Sequence, residues 1–161
     1  MFTKRVLAVA TIATTAIATN NLNFLYSTSS YDDIQGAGSG YSTGFTIKDT
    51  SGNTLWSASD PDGYAPCMDN SEKFTMTSDC WSGTWTFGCE SNFAGNPKLC
   101  AAYGPDGTKY SGAVDSSKDF IGISSGSSGT CGGSFYAADE TCTSGSTFTV
   151  TGRYRGNYKS T

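Results

Sequence analysis

The stretch Phe74-Thr75-Met76-Thr77-Ser78-Asp79-Cys80-Trp81-Ser82-Gly83-Thr84-Trp85-Thr86-Phe87-Gly88-Cys89 decides the fold class. Phe74-Thr-Met76 and Trp85-Thr-Phe87 place an apolar side chain at every second position. A period of two buries one face of a pleated strand and leaves the other wet. Threonine, the intervening residue, is β-branched and suits the solvent side of a strand.

Outward from this stretch the pattern repeats in Phe45-Thr-Ile47 and Phe148-Thr-Val150. Turn signals separate such segments: Asp49-Thr-Ser-Gly52-Asn53, Pro61-Asp62-Gly63 and Pro105-Asp106-Gly107. Beyond the N-terminal leader no 3.6-residue apolar period is sustained. Many short strands with frequent turns predict an all-β sandwich or barrel of antiparallel strands. Two segments fit less well. Residues 19–44 contain Asn23-Phe24-Leu25-Tyr26, a possible strand, but also the glycine-rich run Gln35-Gly-Ala-Gly-Ser-Gly40. They are expected to be an N-terminal extension of uncertain order. Ser124 to Gly129 reads as a low-complexity loop.

Residues 1–18 read as a secretory signal. Lys4 and Arg5 form a positive start, Val6 to Ala13 an apolar stretch, and Ala16-Ile17-Ala18 a small-x-small cleavage site. The stretch is too short and too rich in threonine to span a membrane. The whole chain carries 10 basic and 14 acidic residues, a net charge of −4. Loss of Lys4 and Arg5 would leave 8 against 14, or −6. Nucleic acid and anionic membranes both need a positive field, so neither is expected as a partner.

Six cysteines, Cys67, Cys80, Cys89, Cys100, Cys131 and Cys142, follow the signal. An even count in an exported chain predicts disulfides, in a pairing that sequence leaves open. Zinc would want paired Cys-x-x-Cys or histidines, and the chain has no histidine. No metal or other cofactor is expected. No Asn-x-Ser/Thr sequon is present either.

Six segments, in order, resemble the thaumatin-like (pathogenesis-related) family. Phe45-Thr-Ile-Lys-Asp-Thr-Ser-Gly-Asn-Thr54-Leu-Trp56 is similar to its opening strand pair, and Asn70-Ser-Glu-Lys-Phe74-Thr-Met76 to a following strand. Trp81-Ser-Gly83-Thr-Trp85-Thr-Phe-Gly-Cys89 is similar to its Trp-Ser-Gly-Arg-x-Trp run. The gap from Cys89 to Cys100 resembles its first small disulfide loop. Lys118-Asp119-Phe120-Ile-Gly-Ile-Ser124 and Glu140-Thr-Cys142-Thr-Ser-Gly-Ser-Thr-Phe148-Thr-Val150 complete the set. The resemblance implies an antiparallel β-sandwich over residues 45–161 without the family's cysteine-rich second domain. It implies pairs Cys89–Cys100 and Cys131–Cys142, leaving Cys67 with Cys80. Loops of such length are worth about 2–3 kcal/mol each. Ser51 stands at the family's first-strand cysteine position and no cysteine follows Cys142, so one family bond is absent as a unit.

The absence of histidine removes Ser-His-Asp and Cys-His hydrolysis. Glycosidases need only two carboxylates, but the family's acidic cleft does not carry over. Its arginine falls near Thr86 or Phe87 and its aspartate on Gly122, and no acid occurs from Gly107 to Val114. Asp119 is the acid that remains in that region, although it is not the cleft residue. Asp60-Pro-Asp62-Gly63 reads as a turn before it reads as a calcium loop. Trp56 and Trp85 are expected in the core. Trp81, Tyr64 and Tyr103 are candidates for stacking on a sugar, with Trp81 exposed beside its Ser-Gly turn. Arg153-Tyr-Arg155-Gly-Asn-Tyr158-Lys159 reads as an edge strand or frayed end.

The reading is a secreted, monomeric, non-catalytic protein that binds cell-wall polysaccharide, β-1,3-glucan first, through Trp81, Tyr64, Tyr103 and Asp119. Its rivals are an effector or toxin-like protein acting on an extracellular partner protein, and a weak endo-β-1,3-glucanase.

Overall fold

A computed structural model describes residues 21–33, 39–64, 66–67, 72–92, 95–121, 124–137 and 141–155. The signal reading on residues 1–18 lies outside them. Among the described residues ten strands follow in chain order: β1 (Asn21–Asp33), β2 (Ser39–Lys48), β3 (Thr54–Ala58), β4 (Glu72–Ser78), β5 (Trp85–Ser91), β6 (Pro97–Tyr103), β7 (Lys109–Ser111), β8 (Ala113–Ile121), β9 (Ser124–Tyr136) and β10 (Phe148–Arg155). A 3₁₀ turn, Pro61–Gly63, lies between β3 and β4. The strands form two five-stranded antiparallel sheets, ordered β3-β2-β1-β9-β8 and β10-β4-β5-β6-β7. The protein is thus an all-β sandwich.

The period-two segments all lie in strands, with their apolar members inward. Phe45 and Ile47 of β2, Phe74 and Met76 of β4, and Trp85 and Phe87 of β5 are buried. Phe148 and Val150 of β10 pack half-buried against the same core. Aromatic rings join the two layers: Phe45 lies 4.9 Å from Phe74 and 5.0 Å from Phe87, and Trp85 lies 4.8 Å from Phe135. Such contacts contribute about 0.5–1.5 kcal/mol each beyond the burial of their area. The 3₁₀ turn falls on the expected Pro-Asp-Gly, with Asp62 left-handed at φ 53°. Asp49 shapes another expected turn: its carboxylate accepts from the Asn53 amide and side chain, both at 2.8 Å. The Asn53 side chain is the chief cause that lowers its pKa. Trp56 is half-buried against Phe45 at 6.2 Å, at the margin of the core.

Three expectations are corrected. The first concerns residues 19–44. Residues 21–33 form the central strand of the first sheet, paired with β2 on one side and β9 on the other. Leu22, Phe24 and Tyr26 point into the core. The second concerns Ser124 to Gly129, which is not a loop but the first half of β9, opposite β1 and β8. Serine and glycine are weak strand formers alone, but a ladder on both sides supplies every backbone hydrogen bond from neighbours.

The third correction is the disulfide pairing. The bonds are Cys67–Cys89, Cys80–Cys142 and Cys100–Cys131, with Cα separations of 4.9, 5.1 and 5.9 Å. None of the three pairs implied by the resemblance is formed. Cys100–Cys131 joins β6 of one sheet to β9 of the other, where the chain crosses between sheets at Gly112. A side chain at Gly112 would run into Cys100 Sγ and stand 3.0 Å from the Gly132 carbonyl oxygen. Only glycine lets the two layers close there. The bonds span 22, 62 and 31 residues. Loops of that length are worth about 3–4 kcal/mol each, more than the short loops expected.

Candidate functional site

Of the four residues expected to bind sugar, Trp81 and Tyr64 are buried. Trp81 is 5% exposed, its ring against Phe148 at 5.3 Å, Phe135 at 5.9 Å and Trp85 at 6.2 Å. The neighbouring Cys80 is bonded to Cys142, and both cysteines are buried in the same core. Tyr64 is also fully buried, its ring on Phe74 at 5.7 Å and its hydroxyl donating to the Glu72 carbonyl at 3.1 Å. Neither offers a free face to a ligand. Trp85, expected in the core, is there at 4% exposure.

Tyr103 is half-buried on the outer face of the second sheet. Lys73 of β4 crosses Gly88 and sets its ammonium 4.7 Å above the Tyr103 ring. Burial raises the Tyr103 hydroxyl pKa and Glu90 adds to the shift. Burial lowers the Lys73 pKa, opposed by Glu90 and reinforced by Lys109. The lysine takes the place a stacked sugar would need, so Tyr103 belongs to a cation–π pair. Asp119 lies on the edge strand β8, opposite Gly126 of β9, and its side chain lies outside what the structure describes. Arg153, from the basic and aromatic C-terminal run, lies on the edge strand β10 and donates to the Gly63 carbonyl at 2.9 Å.

A different surface carries binding chemistry: the outer face of the first sheet. Alternation along β1 sends Leu22, Phe24 and Tyr26 inward and Asn21, Asn23, Leu25 and Ser27 outward. Along β9 the inward set is Cys131, Phe135 and Ala137 beyond the strand end, and the outward set is Thr130, Gly132, Ser134 and Tyr136. Tyr136 is 44% exposed and stands opposite Asn21. One row further, Ser134 faces Asn23, and Asn23 faces Lys48 of β2. The Ser134 hydroxyl donates to Asn23 Oδ1 at 2.6 Å, and Asn23 Nδ2 donates to the Asp49 carbonyl at 3.1 Å. These bonds hold the amide in one orientation while leaving it one further N–H and one further lone pair.

Toward the other end of the same face, Thr130 lies between Ser27 and Asp115. Together with Thr28, Ser128 and Gly129 they border a hollow of about 300 Å³. A second hollow of about 430 Å³ is bordered by Asp79, Cys80, Thr141, Thr143 and Ser146. There Asp79 Oδ1 is already engaged by the Thr147 amide at 3.0 Å. Each hollow brings one described carboxylate, whereas glycoside hydrolysis uses two across the scissile bond. Among the described residues no group of three His, Cys, Asp or Glu side chains could hold a metal ion, and no helix is long and apolar enough to cross a membrane.

Sequence reasoning missed Tyr136 for an identifiable reason. Its parity against Phe135 signals an outward aromatic only once Ser124 to Tyr136 is recognised as one strand. No protein-family model, curated protein or solved structure matches this chain.

Proposed function

We propose that this chain is a secreted, non-catalytic module that binds cell-wall polysaccharide, β-glucan foremost, on the outer face of its first sheet. The observation that carries the reading is Tyr136, an exposed ring on a regular sheet face beside the oriented Asn23–Ser134 pair. An exposed tyrosine gives large contact area to the C–H face of a pyranose at little cost in rotamer entropy. An amide locked by its own hydrogen bonds meets sugar hydroxyls with a donor and an acceptor already placed. The three disulfides fit an oxidising, extracellular compartment, where such polymers lie. The likeness to thaumatin-like proteins enters through the strand motifs alone, since the cystines join other pairs.

The test is retention on insoluble β-1,3-glucan, chitin and cellulose, with released sugar assayed in the same tubes. Wild type is expected to be retained without sugar release, and Tyr136→Ala to be lost from the polymer. Failure of wild type to bind any of the three overturns the reading and favours action on a protein partner.

A further inference from the structure

The Tyr136 ring and the Asp115 hollow lie on one face but cannot touch the same small sugar. Tyr136 and Thr130 are six residues apart on β9, and Asp115 stands directly opposite Thr130. At strand rise that separation is roughly 20 Å, about four pyranose units of an extended chain. Two outward-facing rows lie between them. Ser134 and Asn23 come first, then Gly132, where the absent side chain leaves Leu25 Cδ1 lying 3.0 Å from the position a Cβ would take. A half-buried leucine across a glycine forms a shallow apolar saddle suited to the C–H edge of a sugar ring.

We infer that the ligand of this face is an extended, neutral glycan chain laid along β1 and β9, stacked on Tyr136 at one end and gripped by the Asp115 hollow at the other. This rests on the polysaccharide reading and adds the ligand's length, direction and charge. The Asp115 carboxylate accepts two hydrogen bonds at once and so suits the adjacent hydroxyls of one pyranose. Thr130, directly opposite it, and Ser27, one strand beyond, add hydroxyls that donate or accept. An acidic sugar would meet that carboxylate on a chain of net charge −4 and be repelled.

Linking two contact points through one ligand makes the second contact intramolecular, so affinity depends steeply on chain length until the span is reached. Calorimetric titration with β-1,3-linked oligosaccharides, from disaccharide to hexasaccharide, reads this directly. Wild-type affinity is expected to rise about tenfold or more between the disaccharide and the pentasaccharide, then level off. Asp115→Ala, and Ser27→Leu, which fills the hollow, are expected to flatten that rise, so that the pentasaccharide binds little tighter than the disaccharide. Both alter exposed side chains, and near-ultraviolet circular dichroism checks that the fold is kept. Tyr136→Ala is expected to weaken every length. A rise that survives both hollow variants, or no rise at all while Tyr136→Ala still weakens binding, overturns the two-point span and leaves the polysaccharide reading standing. No binding of any oligosaccharide or of the insoluble polymers overturns both.

Discussion

Cys89 and Cys100 stand directly opposite each other across β5 and β6, yet each is bonded elsewhere, Cys89 to Cys67 and Cys100 to Cys131. Both sit on the inner face of the sheet, where side chains rise side by side and reach toward what lies above. For Cys100 that is the facing sheet, so the bond fastens one layer to the other. Digestion under non-reducing conditions should recover peptides linked as 67–89, 80–142 and 100–131, and no 89–100 peptide. Replacing Cys100 and Cys131 together by alanine should cost about 3–4 kcal/mol, read from the denaturation midpoint.

Phe87 is the ring where the layers meet, in contact with Phe24, Phe45, Phe74 and Phe135 and fully buried. Phe87→Ala should cost about 3–5 kcal/mol because so enclosed a site cannot collapse on the cavity. Trp81→Ala should behave the same way, lowering the unfolding midpoint, and any loss of polymer binding should follow loss of fold.

Tyr26 presents the opposite case, a buried hydroxyl with no hydrogen-bond partner among the described residues. Leaving such a group unmet costs about 1–3 kcal/mol, so Tyr26→Phe should be neutral or stabilising by about 1 kcal/mol in chemical denaturation. The pH dependence follows from burial, which drives the Tyr26 pKa well above its usual value, with Tyr64 and Tyr103 adding to it. With the folded value above the unfolded one, the stability linked to this proton is complete below about pH 10 and falls as pH rises beyond it. Tyr26→Phe should shrink that alkaline loss; an identical decline in both proteins would assign it to other groups.

Gly112→Ala places a methyl against Cys100 Sγ where the chain crosses between sheets. Overpacking of that kind should cost about 1–3 kcal/mol, and the Tm should fall although no hydrogen bond is removed.

Much of the sandwich was legible locally. Phe45-Thr-Ile47, Phe74-Thr-Met76 and Trp85-Thr-Phe87 showed which side chains face inward, and Asp49 to Asn53, Pro61 to Gly63 and Pro105 to Gly107 showed where the chain turns. Alternation and turn chemistry are properties of neighbouring residues, so they survive without knowledge of the rest of the fold. The candidate face was not legible, because Tyr136 projects from a strand whose first half is almost all serine and glycine.

Sequence by itself determined that this is an all-β chain without histidine chemistry, with six cysteines able to pair. Only the tertiary structure decided the partners of those cysteines, the burial of Trp81 and Tyr64, and the central place of residues 21–33. Those outcomes depend on which distant segments share a sheet and which face meets the other layer. Such choices are settled by packing and backbone pairing summed over the whole domain, a sum in which no short stretch holds enough of the terms.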